Sequence, residues 1–241
     1  MSIQIVSDIH LDYNDITQNE FSIIIKPSAD ILVIAGDLGN PFNDNYKNFL
    51  LFYSTLFIKI FIIAGNHEYY YNDIHETNAK IAEICSNFDN IHFLNNTTYE
   101  YNDILFIGTT LWSSVPTNLE KYILSTIRDY RNIKDFTHYK SNQLFIENIK
   151  FIKKELEKNK TSIVITHHAP SFRCIPEEFK EDILNTCFYS NLEYLFEYTN
   201  ILAWIYGHTH NNCNIKINNS ILISNCYRSK DYNDKLIIQY E

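Results

Sequence analysis

The sequence predicts a layered α/β domain built on a mixed β-sheet. Short apolar runs rich in β-branched residues alternate with longer helical segments early in the chain, and strands joined by short turns follow late in it. Several strand candidates are continuous apolar runs, which is typical of strands buried on both faces. Strands that alternate with helices and then end in hairpins indicate a sheet covered by helices.

Ten strands and four helices are predicted along the chain. The strands lie at 3–6, 31–35, 60–64, 91–94, 104–108, 162–166, 202–206, 214–217, 220–224 and 235–239. The helices lie at 46–57, 74–88, 139–158 and 182–198, and the third ends in a lysine-rich turn that suits the negative end of the helix dipole. The Asn-Asn pair before Ser220 is typical of a hairpin turn. No repeat or proline-rich linker interrupts the chain, so we expect one domain over residues 1–241.

The charge of the chain bears on its partners. It has 241 residues with 29 acidic and 20 basic side chains, a net charge of −9, and a pI near 5.4. An acidic surface argues against non-specific binding to nucleic acid or to anionic membranes. A nuclease acting on long DNA or RNA is therefore disfavoured, unless a local basic groove exists.

The cysteines, the first residues and the apolar runs of the chain indicate its cellular location. The five cysteines form no CxxC pair, which argues against a disulfide framework and a zinc knuckle and fits a reducing compartment. The first residues lack the basic start and long apolar stretch of a signal peptide. The longest apolar run, 56–64, contains Lys59 and is too short to span a bilayer. We expect a soluble, cytoplasmic protein without a membrane partner.

Polar clusters follow five of the predicted strands. The chain has only five glycines, and three of them directly precede Asp37, Asn66 and His208 at strand ends. The clusters are Asp8-Ile-His10, Gly36-Asp37, Gly65-Asn66-His67-Glu68, Thr166-His167-His168 and Gly207-His208-Thr-His210. Any one of them could be a turn or a set of buried core residues. Together they predict a site, because loops at the carboxyl ends of strands converge on one crevice.

The residue types in these clusters favour a metal site. Carboxylate, imidazole and amide oxygen suit Mn²⁺, Fe, Zn²⁺ or Co²⁺. Seven candidate ligands exceed what one catalytic ion with an open position uses, whereas two ions that share a carboxylate would use them all. The candidates are Asp8, His10, Asp37, Asn66, His167, His208 and His210.

The ordered set of motifs resembles the calcineurin-like metallophosphoesterases, and it spans residues 8 to 210. Further pieces, Gly108-Thr-Thr-Leu-Trp112, Asp129-Tyr-Arg131 and Thr166-His-His-Ala-Pro170-Ser171, resemble a small cytoplasmic branch of that superfamily. The resemblance implies a β-sandwich of two mixed sheets flanked by helices, in four αββα layers.

The resemblance also implies roles for the site residues. Asp8, His10 and His210 would bind one metal ion, Asn66, His167 and His208 the other, and Asp37 would bridge the two. His168 remains an alternative to His167. The ions would be Mn²⁺ first, with Fe, Zn²⁺ or Co²⁺ as alternatives. Asp37 and His67 would be catalytic, with His67 facing the leaving group.

One departure from the family pattern concerns His67. The stretch Gly36-Asp37-Leu38-Gly39-Asn40 lacks the second aspartate and the arginine of the phosphoprotein phosphatases, which disfavours a protein phosphatase activity. Asn40 stands where a carboxylate usually holds the leaving-group histidine. His67 is therefore either a general acid or an electrostatic group.

The implied activity is hydrolysis of a phosphodiester or a nucleotide-type phosphate ester through a metal-bridging hydroxide. The alternatives are a phosphomonoesterase of the same superfamily and a non-catalytic metal-binding scaffold. Arg131, Arg173 and Arg228 are the candidate substrate-binding residues, because arginine suits bidentate contact with phosphate. The aromatic run at 68–71 either stacks on a base or packs in the core. The oligomeric state is left open.

Overall fold

Two β-sheets form the centre of the computed structural model, which describes residues 1–13 and 16–240. Their strands are β1 (Ser2–Val6), β2 (Ile31–Ala35), β3 (Lys59–Ile63), β4 (Ile91–Phe93), β5 (Thr97–Tyr101), β6 (Ile104–Thr109), β7 (Ser162–Thr166), β8 (Ile201–Tyr206), β9 (Cys213–Ile217), β10 (Ser220–Ser224) and β11 (Ile237–Gln239). The first sheet has the order β11-β1-β2-β3-β4, and the second has the order β5-β6-β7-β8-β10-β9.

Both sheets are mixed. In the first sheet β1 to β4 run parallel and β11 pairs antiparallel with β1. In the second sheet β6, β7, β8 and β10 run parallel, while β5 and β9 are antiparallel edge strands. The parallel strands of each sheet therefore end at the same edge.

Helices cover the outer face of each sheet. They are α1 (Phe21–Ile24), α2 (Asp44–Ser54), α3 (Ile74–Cys85), α4 (Glu120–Thr126), α5 (Asp129–Asn132) and α6 (His138–Leu156). Apolar residues of α1, α2 and α3 pack with Leu32 and Ile62 of the first sheet. Ile152 and Leu156 of α6 pack on the second sheet. The predicted four-layer αββα fold is confirmed.

The inner faces of the two sheets form the central core. Ile5, Val33 and Ile63 of the first sheet pack in one cluster with Ile165 and Ile205 of the second. At the same interface Phe61 and Phe106 stack with ring centroids 4.1 Å apart. Each parallel strand also buries its other face under helices, which explains the continuous apolar runs in the sequence.

Local capping fixes where the longer helices begin. The Asp73 side chain accepts hydrogen bonds from the backbone N–H groups of His75 and Glu76 at the start of α3. Thr137 accepts from the backbone of Lys140 at the start of α6. Such caps satisfy N–H groups that have no partner within the helix.

The helix predicted at 182–198 is wrong. Two short 3-10 helices, Ile183–Cys187 and Glu193–Glu197, occupy most of that range. The backbone between them pairs with the loop after β7 instead: Ala169 N–H donates to Phe188 O at 3.1 Å and Ser190 N–H to Ala169 O at 2.9 Å. A continuous helix would lose both bonds.

The prediction also missed strand β5, whose sequence Thr-Thr-Tyr-Glu-Tyr contains no aliphatic run.

In the described residues, no helix combines the length and the apolar character needed to cross a bilayer.

Candidate metal centre

The predicted metal ligands lie at the carboxyl ends of the parallel strands. Asp8 and His10 follow β1, Asp37 follows β2 and Asn66 follows β3, so these come from the first sheet. His167 follows β7, and His208 and His210 follow β8, so these come from the second sheet. We call these seven side chains the ligand cluster. It lies where the same edges of both sheets meet.

The backbone at five of these seven positions is strained. Non-glycine residues seldom have a positive φ, and the conformation costs about 1–3 kcal/mol at each position. The values are +57° at Asp8, +50° at His10, +54° at Asp37, +68° at His208 and +49° at His210. Strain of this kind persists where the surrounding fold enforces it, and it concentrates at functional sites.

A first group of donors consists of Asp8, His10 and His210. Their ligand atoms all lie within 4.8 Å of one another. His210 Nε2 is 3.3 Å from Asp8 Oδ1 and 3.3 Å from His10 Nε2. Burial alone would raise the pKa of Asp8, but the hydrogen bond from His210 and nearby histidine charge lower it to about 2. Asp8 is therefore anionic at neutral pH.

A second group consists of Asp37, Asn66, His167 and His208. The donor atoms of Asp37, His167 and His208 lie within 4.8 Å of one another. His167 Nε2 is 3.3 Å from Asp37 Oδ2 and 3.1 Å from Asn66 Oδ1. Asp37 also lies 3.6 Å from His10 Nε2. It is thus the carboxylate shared between the two groups.

The acceptor atoms of the second group require a positive charge between them, which either a proton on His167 or a metal ion supplies. His167 Nδ1 must donate to the Ala35 carbonyl 2.9 Å away, so a neutral ring presents Nε2 as an acceptor. The amide nitrogen of Asn66 donates to Asp129 Oδ1 at 2.8 Å, so its oxygen faces His167. Burial alone would lower the pKa of His167, but the Asp37 carboxylate raises it to about 10. Asp37 and Asn66 thus direct acceptor oxygens at the positive charge of a protonated His167. A divalent ion held by Nε2 of a neutral His167 would supply the same charge.

His67 occupies the boundary between the ligand cluster and open space. One of its ring nitrogens lies within 4.8 Å of donor atoms of His10 and Asp37. Its backbone N–H donates to Asp37 Oδ1 at 2.9 Å, and its ring stacks on Tyr70 at 4.2 Å. His67 Nδ1 is buried and has no hydrogen-bond partner among the described residues. The side-chain oxygen of Asn40 accepts from the Phe42 backbone instead.

The geometry favours His167 over His168 as a ligand. His168 belongs to none of the donor groups found among residues 1–13 and 16–240. It is buried, with its ring against Trp112 and His208. Burial lowers the pKa of His168 to about 3, so the ring is neutral.

Two buried carboxylates hold the ligand loops and were not assigned roles by the sequence. Asp129 accepts from the Asn66 amide at 2.8 Å and from the Tyr70 hydroxyl at 2.7 Å. Glu68 accepts backbone N–H bonds from Asp37 at 3.0 Å, Leu38 at 2.7 Å and Gly65 at 2.7 Å. The motif Asp129-Tyr-Arg131 is visible in the sequence, but nothing there places Asp129 beside a residue 63 positions earlier.

A cavity of about 520 Å³ opens beside the ligand cluster, and its lining includes Asp37, Asn66, His67, His208 and His210. Among the described residues its lining contains one arginine, Arg128. The sequence did not single it out.

The predicted substrate-binding arginines are not in this lining. Arg173 pairs with Glu193 at 2.9 Å. Arg131 and Arg228 are exposed. A role in substrate binding stays a prediction for all three.

The fold and the ligand cluster are those expected of a metal-binding hydrolase of phosphate esters. The sequence pattern of the calcineurin-like phosphoesterases matches residues 1–212. The chain belongs to this family.

Two curated relatives cover most of the chain. An uncharacterized protein of Acanthamoeba polyphaga mimivirus is 34% identical over 251 residues, covering 92% of this chain and 89% of the relative. A protein of Coxiella burnetii named as a probable cyclic nucleotide phosphodiesterase is 25% identical over 252 residues, covering 97% of this chain and 87% of the relative.

Solved structures share the fold. A phosphopantetheinyl hydrolase from Mycobacterium tuberculosis has a TM-score of 0.71 at 14% identity, over 93% of this chain and 88% of that one. A dimetal phosphatase from Danio rerio has a TM-score of 0.54 at 14% identity, over 93% of this chain and 86% of that one. Likeness at this identity concerns the architecture only.

Proposed function

We propose that this protein is a two-metal phosphoesterase that hydrolyses a phosphodiester or a nucleotide-type phosphate ester. The observation that carries the proposal is the position of Asp37, whose Oδ2 lies 3.6 Å from His10 Nε2 of the first group and 3.3 Å from His167 Nε2 of the second. Asp8, His10 and His210 would hold one ion, and Asn66, His167 and His208 would hold the other. Mn²⁺ is the first candidate, and Fe, Zn²⁺ or Co²⁺ would also suit these ligands.

Two divalent ions, when bound, would supply positive charge for the phosphoryl oxygens and would activate water. The chain's own residues hold the geometry for this chemistry. Asp37 is fixed between the groups, because Glu68 binds the backbone on both sides of it and His67 N–H binds its Oδ1. Asp129 turns the Asn66 oxygen toward His167.

His67 and Arg128 line the cavity where a substrate would lie. His67 would protonate or polarise the leaving oxygen, because its ring lies beside the ligand cluster and also faces the cavity. Arg128 would bind a phosphoryl oxygen or a second anionic group of the substrate. A small phosphate ester or nucleotide is therefore the expected substrate.

The experiment combines metal analysis with hydrolysis. Protein reconstituted with Mn²⁺ should hold about two ions per chain, and Asp37→Ala should lose both, because the carboxylate serves both groups. Asp231→Ala, an exposed aspartate outside the ligand cluster, is the control and should keep both. One tightly bound ion in the unchanged protein would contradict the two-metal assignment.

The choice between diester and monoester needs a separate assay. With Mn²⁺ added, bis(p-nitrophenyl) phosphate should be cleaved faster than p-nitrophenyl phosphate if diesters are preferred. The reverse order would establish a phosphomonoesterase. Hydrolysis of neither ester by metal-loaded protein would favour the non-catalytic scaffold.

A cytoplasmic location is also part of the proposal. All five cysteines are free thiols, and four of them are buried. Free cysteines of this kind fit a reducing compartment.

A further inference from the structure

The cavity beside the ligand cluster has an apolar side. Six apolar residues line the cavity together with the candidate metal ligands, and we call them the apolar wall: Ile127, Ile175, Pro176, Phe179, Leu184 and Phe188. The volume of about 520 Å³ is within the usual range for small-molecule sites, roughly 300–1,000 Å³. The phosphate itself is a small, charged group, and contact with apolar residues would not stabilise it.

The apolar wall is fixed relative to the ligand cluster. The Phe188 ring stacks on the His208 ring, with centroids 4.9 Å apart and planes at 23°. Ala169, two residues after His167, binds the Phe188 carbonyl through its N–H at 3.1 Å. One side of the cavity is therefore built on the same loops that carry metal ligands.

Three polar side chains near the apolar wall form hydrogen bonds with the backbone. The Asn185 amide donates to Phe179 O at 2.5 Å and to Lys180 O at 3.3 Å. The Thr126 hydroxyl donates to Tyr122 O at 2.8 Å, and Asp182 Oδ1 accepts from Leu184 N–H at 2.8 Å. An apolar group placed against the apolar wall would gain free energy by leaving water.

One aromatic residue of the wall remains exposed. Phe179 has 51% of its surface accessible although it lines the cavity. A flat hydrophobic group in the cavity would cover part of this ring, and two aromatic rings attract each other beyond the area they bury. Phe188, on the same wall, offers a second ring next to His208.

We propose that the apolar wall binds an aromatic group carried by the phosphate ester, so that the enzyme selects aryl-type esters over compact polar ones. This inference rests on the proposed function, since it assumes that the phosphoryl group lies at the ligand cluster. The aromatic group then extends from the phosphorus toward Phe179 and Phe188.

The test measures binding of two non-hydrolysable probes to Mn²⁺-loaded protein by calorimetry. Phenylphosphonate and methylphosphonate present the same phosphonate head and differ in the group that would meet the apolar wall. The unchanged protein should bind phenylphosphonate about 10-fold or more tightly than methylphosphonate, because burial of a ring removes a large apolar area from water. Phe179→Ala should reduce this ratio several-fold with little change for methylphosphonate.

Phe172→Ala is the matched control. Phe172 is an aromatic residue of the same segment, 38% exposed, and it is not in the cavity lining. Its substitution should leave the ratio unchanged. Any intrinsic difference between the two probes is the same in all three proteins. A change in the ratio that occurs in Phe179→Ala but not in Phe172→Ala therefore reports the apolar wall.

The outcomes separate this inference from the proposed function. Equal affinity for both probes, or a ratio that Phe179→Ala leaves unaltered, would overturn the aromatic assignment while phosphonate binding at the metals stands. Failure of Mn²⁺-loaded protein to bind either probe would overturn the proposed function and the inference together. A ratio lowered equally by Phe172→Ala would also overturn the inference, since a general loosening of the segment would explain it.

Discussion

Asp129 determines which atom of Asn66 faces the ligand cluster. Its carboxylate accepts from the Asn66 amide nitrogen and from the Tyr70 hydroxyl, so the amide oxygen points toward His167. Groups that orient a metal ligand in this way typically change metal affinity by about 10–100-fold when they are removed. Asp129 is therefore a positioning residue.

We predict that Asp129→Ala lowers Mn²⁺ affinity by about 10–100-fold, with the loss confined to one of two sites. Asp129→Asn should lose less, because its amide oxygen can still accept from Asn66. Titration calorimetry with Mn²⁺ measures both affinities. The control is Tyr70→Phe, which removes the other donor and keeps the Asn66 bond. Unchanged metal binding in Asp129→Ala would mean that Asn66 is not a ligand.

His67 should be separable from its neighbour Asn66 by role. We predict that His67→Ala spares metal binding but slows hydrolysis, and more for an alkyl leaving group than for p-nitrophenolate. General acid catalysis is worth about 10²–10⁴-fold and matters only when the leaving oxygen needs a proton. His75→Ala, an exposed histidine on α3, should have no effect on either ester.

Equal losses on both esters would indicate that His67 acts electrostatically. The structure makes this a real alternative, because His67 Nδ1 has no partner among the described residues and the Asn40 side chain is bonded elsewhere. Loss of metal in His67→Ala would instead show that His67 is itself a ligand.

At the scale of elements, the turn after β2 requires glycine. Gly36 has φ of +84°, and a Cβ there would lie 2.5 Å from His167 Nδ1 and 2.7 Å from Gly65 N. The close approach lets the ends of β2, β3 and β7 bring Asp37, Asn66 and His167 together. A side chain at this point would push His167 away from Asp37.

We predict that Gly36→Ala folds with reduced stability. Its second donor group should bind Mn²⁺ only weakly, so that less than one tightly bound ion per chain is found there. Gly108→Ala is the matched control: its Cβ would meet Leu94 Cβ at 2.2 Å, inside β6 and in the core. It should lower the melting temperature and leave the metal content of the folded protein unchanged. A metal content preserved in Gly36→Ala would show that the loops adapt.

Elements differ in how well the sequence predicted them. The parallel strands were predicted because burial on both faces leaves an unbroken apolar run, as at 31–35 and 162–166. Strand β5 was missed because an edge strand with one solvated face carries Thr, Tyr and Glu. The helix predicted at 182–198 failed because long-range pairing with Ala169 outweighs local helical preference there.

The candidate site, like the secondary structure, was predicted only in part from the sequence. The candidate ligands directly follow strands that the sequence predicts, so Asp8, Asp37 and His208 could be placed at the sheet edge from the sequence. Asp129, Arg128 and the apolar wall come from irregular segments whose position depends on tertiary contacts. No local pattern indicates that they reach the cavity.

For the whole molecule, the ligand cluster connects the two sheets. Asp8, His10, Asp37 and Asn66 come from the first sheet, and His167, His208 and His210 come from the second. Ions bound between them would link the two sheets at the edge where the backbone of the loops is strained. Metal binding should therefore stabilise the fold as well as supply chemistry.

We predict that Mn²⁺ raises the melting temperature and that chelation reverses the rise. An ion at 1,000 times its Kd adds about 4 kcal/mol to the free energy of unfolding. For a chain of this size that corresponds to a shift of about 10 °C. Asp37→Ala should abolish most of the metal-induced shift, because the shared carboxylate belongs to both donor groups, while Asp231→Ala should retain it. Calorimetric melting with and without Mn²⁺ measures the difference. A shift that survives in Asp37→Ala would mean that the stabilising ion binds outside the ligand cluster.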